Sequence, residues 1–301
     1  GERYGLTSQR IIQIFDEKVN YVPRKSLPMV LCIDEKKFEE EINQKYCCVL
    51  YNFDSGQIVD VIKNRQLAYL EEYFDSIKES ERNHVKYFIS DMNDPYRTIK
   101  RKYFSKSLHV VDLFHVIKLL AEVVKKIRVK AMNEYSSDKV EYGFMKRNWK
   151  LFQSRKEDIP DKIYTHKKTG IEYRYSDLVF RCVLNDNLLN EAYNILQDLY
   201  HYNERFYNFN EAFEFIMYIS NRLMLTGDEK LESVGRSYRK WAAEIANGLS
   251  HSQSGRRFSN GIAECINNHI ETLLKISYGY HNFDRFRKRI LMIRTYKEDL
   301  K

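Results

Sequence analysis

A chain of 301 residues with 43% hydrophobic residues and only four prolines can bury a substantial core, in one large or two moderate domains. A formal charge of +8 and a pI near 9.0 favour an anionic partner, and 23 tyrosines and 17 phenylalanines lie interleaved with the basic residues. No apolar stretch approaches the length of a membrane span, no secretory pattern opens the chain, and no CxxC pair suggests a zinc ribbon. The expectation is a soluble intracellular protein whose cysteines, Cys32, Cys47, Cys48, Cys182 and Cys265, are small buried hydrophobes.

In chain order, Leu6 to Lys18 carry a helical pattern with Thr7 or Ser8 as N-cap, followed by a basic, proline-bounded linker. The opening starts mid-pattern, so residues 1–27 are expected to be the end of an upstream region and its linker. The apolar run Met29 to Ile33 has the length of a strand buried on both faces, and it ends in Asp34 and Glu35. Side chains alternate along a strand, so Glu35 points away from Asp34 and is not counted with it. KYCCVLYNF and QIVDVIKN, joined by Asp54-Ser55-Gly56, spell a β-hairpin. LAYLEEYFDSIKES has helical spacing, and VKYFIS is a fourth strand running into Asp91. A helix from about Tyr96 to Phe104, the strand LHVVD ending at Asp112, and a long amphipathic helix from FHVIK to NEY complete this part.

From about Ala131 to Ser254 the pattern is helical throughout. A last helix begins near Asn260 and carries Glu264 in its first turns, and a basic, aromatic stretch closes the chain. The fold expectation is α/β: a mixed sheet flanked by helices, with a large all-helical insertion before the last helix. The expected divisions are 1–27, a first core segment over 28–130, the insertion over 131–255, and a final segment over 256–301.

Three buried strands each end in an acid, Asp34, Asp91 and Asp112, which suggests carboxylates gathered along one sheet edge. A buried carboxylate needs water, a cation or a donor. Glu264, after a Ser-Asn-Gly turn and near Asn267 and Asn268, is either a further ligand aimed at that edge or a glutamate favoured by the helix dipole. Carboxylates without a histidine–cysteine cage select a hard cation, Mg²⁺ with Mn²⁺ as substitute, and such an ion keeps waters and binds phosphates.

The segments Ile33–Glu35, Ser90–Tyr96, Val111–Lys118 and Asn260–Leu291, in this order and spacing, resemble the DDE transposases of the bacterial ISL-three insertion-sequence family. The likeness covers about Leu27 to Leu291. It implies a ribonuclease-H-like catalytic domain, a catalytic and metal-binding triad of Asp34, Asp91 and Glu264, and two metal ions once DNA is bound. It also implies that residues 1–27 end an upstream DNA-binding region, that the partners are transposon-end and target DNA, that a homodimer or higher oligomer forms the synaptic complex, and that the protein acts at the bacterial nucleoid. Three positions depart from the family pattern: Cys265 stands where a glycine is usual, and His269 and Glu271 where lysines are common.

Around the triad, Asp112, His115, Arg65, Tyr96, Asn260, Asn267 and Asn268 are candidates for supporting the site or touching DNA. His115 is either such a residue or a structural hydrogen-bonding one, and Tyr96 either braces the Asp91 loop or stacks on a base. Lys275, Arg285, Arg287, Lys288 and Arg289, set among aromatics, suit contacts to DNA ends, or else form the basic outer face of an amphipathic helix. The expected activity is metal-dependent phosphodiester hydrolysis followed by strand transfer. The alternatives are a nuclease on the same core that never joins strands, and a catalytically inactive DNA-binding derivative.

Overall fold

The computed structural model describes residues 5–19, 21–41, 44–205, 207–253, 256–258, 261–276 and 282–298, except the side chains at 8, 39–41, 44–45, 253, 256, 261–265, 276 and 293–298. The elements are α1 (Ser8–Lys18), β1 (Val30–Glu41), β2 (Gln44–Asn52), β3 (Ile58–Ile62), α2 (Leu67–Asp75), α3 (Glu79–Arg82), β4 (Tyr87–Ser90), α4 (Asp94–Tyr103), β5 (Leu108–Val111) and α5 (Leu113–Asn133). There follow α6 (Val140–Arg147), β6 (Ile163–Thr165), β7 (Glu172–Arg174), α7 (Tyr175–Leu184), α8 (Asn187–Tyr202), α9 (Phe209–Met224), α10 (Glu229–Lys240), α11 (Ala242–Ser250), β8 (Ser252–Gln253), β9 (Arg256–Arg257), α12 (Gly261–Ile276) and α13 (Phe283–Glu298). Two compact units result, one from residues 1–110 with 253–301 and one from 111–252.

The first unit is built on a five-stranded mixed sheet of order β3-β2-β1-β4-β5. β1 pairs antiparallel with β2 and parallel with β4, and β2 pairs antiparallel with β3. The expected Asp54-Ser55-Gly56 turn closes the β2–β3 hairpin, with Gly56 in the left-handed region at φ 65° and its N–H given to Asn52 O. Alternation along the strands divides the core by face. Val30, Cys32, Val49, Ile89 and Val110 pack with Phe258, Ile266, Ile270 and Phe286, whereas Leu31, Ile33, Leu50 and Phe88 pack with Leu70, Phe74, Ile99 and Phe104.

Two expectations are corrected here. β1 does not stop at Ile33; it runs through Asp34 to Glu41 because β2 continues to pair with it, Lys37 opposite Tyr46 and Glu41 opposite Gln44. The helix expected over LAYLEEYFDSIKES is α2 followed by the single-turn α3, since Ser76 closes α2 by giving its hydroxyl back to Tyr73 O.

α1 is capped by Thr7, which accepts from Arg10 N, and Asp16 on α1 holds Arg285 of α13 at 2.5 Å. A second ion pair is buried: Arg287 donates to both oxygens of Asp60 on β3, at 2.6 and 3.0 Å, and Tyr73 donates to the same carboxylate. Burial pulls the Arg287 guanidinium down, but the hydrogen bonds and charge of Asp60 outweigh it and hold it above its ordinary value.

The second unit is mostly helical and contains the short β6–β7 hairpin, a departure from the expected all-helical insertion. α5 belongs to it, with Leu113, Val116, Leu120, Val124 and Ile127 on its buried stripe. α8, α9 and α10 begin at side-chain caps, Asp186, Asn208 and Asp228, and Asn208 forms a capping box with Glu211. Arg222 on α9 bridges Glu191 and Asp198 on α8, and the buried Tyr238 hydroxyl on α10 donates to Val116 O.

Candidate active site

The site is organised by where β1 outruns its parallel neighbour. Val30, Leu31 and Cys32 pair with Tyr87, Phe88 and Ile89, after which β4 ends at the buried Ser90. Asp91 is the first residue past that end, and Asp34 lies two residues past the last β1 residue paired with β4. Asp34 remains paired with β2 through Val49, and its side chain lies on the face of Val30 and Cys32. There its Oδ1 accepts from Glu35 N at 2.8 Å and its Oδ2 from Asn267 Nδ2 at 2.7 Å.

Asn267 therefore joins α12 to β1. One strand repeat on, Lys36 Nζ lies 3.5 Å from Glu271 Oε2, one helical turn beyond Asn267. A repeat further, Phe38 stacks on Phe286 of α13 with ring centroids 4.5 Å apart. Position 264 precedes Asn267 by three residues in α12, and helical spacing sets the two on neighbouring rows of one face. The Glu264 side chain lies outside the described residues, as does Cys265's.

On the opposite face Glu35 gathers three donors. Its Oε2 accepts from Arg65 at 2.5 Å, and its Oε1 from Asn93 Nδ2 at 3.1 Å and the Tyr96 hydroxyl at 3.2 Å. Asn93 N in turn donates to Asp91 O at 3.0 Å, so the turn that follows β4 is tied to β1 through Glu35. Tyr96 is completely buried, its hydroxyl also 3.3 Å from Cys48 Sγ. It braces the Asp91 turn; stacking on a base is excluded because the ring has no exposed surface.

Behind Asp91, the Ser90 hydroxyl donates to Asp91 O and lies 2.9 Å from His109 Nε2. With its hydrogen given to the carbonyl, Oγ accepts from His109, which fixes the Nε2–H tautomer. Burial, with smaller contributions from Lys100, Arg97 and Arg101, lowers the His109 pKa to about 3, so the ring is neutral.

The remaining candidates fall in different places. Asp112 caps α5 by accepting from Phe114 N, and its other oxygen lies 3.3 Å from His115 Nδ1, so the two are partners. Arg65 is held by Glu35 and stands 4.5 Å above the Tyr46 ring. Asn268 is exposed, and Asn260 lies outside the described residues. Of the terminal cations, Arg285 and Arg287 hold Asp16 and Asp60, and Lys275 pairs with Glu271 at 2.9 Å. Lys288 and Arg289 make no ion pair among the described residues, and Arg289 is exposed.

Sequence reasoning passed over Glu35 as a brace, Asn93, Ser90, His109 and Asp60. A polar residue inside a buried strand, as at Asp60 and His109, was the available signal, because such a group must find a partner. The described cysteines Cys32, Cys47, Cys48 and Cys182 are buried as expected, and burial pushes the Cys47 and Cys182 thiols up to about 12. Among the described residues no helix is long and apolar enough to cross a membrane.

Comparison with known proteins adds a family. Over 74 residues the chain is 35% identical to an ATP-dependent protease of Lactococcus lactis subsp. lactis, a stretch covering 25% of this chain and 22% of that protein. The aligned part is thus about a fifth of that relative's length. No solved structure matches. The model of the ISL-three DDE transposases, described as transposase, matches residues 31–290, which include β1 from its second residue, β4, the helical unit and α12. The sheet order, Asp34 on β1, Asp91 just after β4 and this match over most of the chain agree: the chain belongs to the ISL-three family of DDE transposases.

Proposed function

We propose that the chain cuts DNA at transposon ends by metal-dependent hydrolysis and joins the freed 3′ end to target DNA, using Asp34, Asp91 and Glu264. The observation that carries this reading is the Asn267–Asp34 hydrogen bond, which brings the helix bearing Glu264 against the strand bearing Asp34. The donor chemistry fits a hard divalent cation. Both Asp34 oxygens accept one N–H each, which leaves lone pairs for a ligand, and no thiol or imidazole is offered beside them among the hydrogen-bond partners of Asp34. Mg²⁺, or Mn²⁺ in its place, held as a pair once DNA is bound, would supply an activated water and neutralise charge at the scissile phosphate.

The chain's own residues supply position. Asn267 and the Glu35 N–H orient the Asp34 carboxylate, while the Glu35 side chain, through Asn93, holds the turn that carries Asp91. Ser90, backed by neutral His109, fixes the Asp91 carbonyl. Fixing these groups before DNA arrives lowers the barrier by removing reorganisation at the moment of reaction. A dimer or larger assembly would then present two ends together.

The test uses DNA carrying the ends of the element that encodes the chain, with Mg²⁺ or Mn²⁺ and a target plasmid. Nicked ends and joined products are expected, and Asp34→Asn, Asp91→Asn and Glu264→Gln should each abolish both. Cutting without joined products under all conditions would replace this reading with that of a nuclease. DNA binding without cutting in either metal would leave a binding protein.

A further inference from the structure

The basic stretch near the C-terminus spends much of its charge inside the protein, since Arg285, Arg287 and Lys275 are engaged by Asp16, Asp60 and Glu271. Among the described residues, a concentration of exposed cations lies elsewhere. In the helical unit, α6, the segment before it and the β6–β7 turn enclose a cleft of about 290 Å³ lined by Lys139, Lys146, Arg147, Lys167 and Lys168. All five are exposed, and none makes an ion pair among the described residues. Asp138 is the one carboxylate of the lining, so five cations face one acid, half of the chain's net +8 in one cleft.

The cleft is held in shape. Lys167 and Lys168 sit at the tip of a tight turn in which His166 N donates to Ile171 O and Gly170 N to His166 O. Gly170 adopts φ 71°, a left-handed conformation that side-chain-bearing residues rarely take. Across from the tip, Arg147 donates to the Tyr164 hydroxyl and lies over that ring, and the ring packs edge-on against the fully buried Phe144. Lys146 extends over Tyr142, 5.5 Å from the ring centroid. Lys146 and Arg147 are also in the last turn of α6, where the helix dipole favours cations.

From this we infer that the cleft between α6 and the β6–β7 turn is a binding site for the sugar–phosphate backbone of duplex DNA, separate from the sheet-edge carboxylates. The inference rests on the transposase reading above and names where its DNA would be gripped. Several exposed cations from two elements, converging around a single carboxylate, match a row of phosphates and carry no base preference. Asp138 offsets part of this charge: a Ser136 hydrogen bond, its own backbone N–H, and then the charges of Lys168 and Lys139 hold its carboxyl below the usual carboxylate range.

The test is binding of a fluorescein-labelled 30-base-pair duplex by the full chain, followed by anisotropy between 50 and 200 mM salt. In the Lys146→Gln/Lys167→Gln/Lys168→Gln variant, affinity at 50 mM salt should fall at least tenfold. The slope of log affinity against log salt should shrink by about 2.7, at roughly 0.9 for each phosphate no longer neutralised. The two-site turn variant Lys167→Gln/Lys168→Gln, which leaves α6 intact, should shrink it by about 1.8. Unchanged slopes in both variants, with wild-type DNA binding intact, would overturn the inference and leave the transposase reading standing. Variants that lose binding to polyglutamate but keep their DNA binding would overturn it in favour of an acidic protein partner. No DNA binding by the wild-type chain would instead sink the transposase reading itself, and the cleft's assignment with it.

Discussion

Glu35 is the residue whose removal separates a brace from a bystander. Glu35→Ala deletes the acceptors of Arg65, Asn93 and Tyr96 at once. The Arg65 side chain is 45% exposed, so its loss of a partner is made good by water and contributes only about 0–1 kcal/mol. The Tyr96 hydroxyl has no solvent to turn to and keeps only the weak Cys48 Sγ interaction, and the half-buried Asn93 amide loses its acceptor. Stranding buried polar groups costs about 1–3 kcal/mol each, so the variant should lose roughly 2–4 kcal/mol. Glu35→Gln keeps the volume and one carbonyl acceptor, and should lose about 1 kcal/mol. The assay is urea unfolding followed by circular dichroism, because Trp149 and Trp241 both lie in the 111–252 unit and their fluorescence reports on that unit. DNA cleavage should drop more steeply than stability for Glu35→Ala, since the Asp91 turn loses its tie to β1. An alanine variant within about 0.5 kcal/mol of wild type, or a glutamine variant as damaged as the alanine one, would refute the brace.

Two further outcomes test the surroundings of the site. His109 has its folded pKa lowered to about 3 from 6.5, so the unfolded chain takes the proton first. Its contribution is complete above pH 6.5 and is lost as the pH falls towards 3, by up to about 1.4 kcal/mol per pH unit. The stability difference between wild type and His109→Gln should therefore narrow from about pH 7 to about pH 5; a constant difference would show that the ring is not held neutral. Arg287→Met leaves the 2%-exposed Asp60 carboxylate with only Val61 N and Tyr73 as donors and should cost about 3–5 kcal/mol, part of it restored by adding Asp60→Asn. A single-variant loss under about 1 kcal/mol would mean that this ion pair does not anchor α13 to the sheet.

The central strands and the helices between them were legible because their apolar spacing is unambiguous: β3 is buried at every position, and α5 carries a continuous apolar stripe. Asp34 and Asp91 were legible for the same reason, as abrupt ends of apolar runs. The extension of β1 from Asp34 to Glu41 was not, since KKFEEE has poor strand propensity and is extended only by its pairing with β2. The β6–β7 hairpin was hidden by three-residue strands among polar neighbours. The destinations of Arg285 and Arg287 were also illegible. Their carboxylates lie 269 and 227 positions away, and local charge pattern carries no information about such pairs.

The distance in sequence between Asp34 and Asn267, 233 positions, has a consequence in time. At about 5–20 residues per second, synthesis brings α12 out of the ribosome roughly 10–50 s after β1. Through that interval the sheet face of Cys32, Val49 and Ile89 lacks the cover of Ile266, Ile270 and Phe286. The nascent protein thus has an apolar sheet for chaperones to shield. The Asn267–Asp34 hydrogen bond likewise cannot form until α12 has been made.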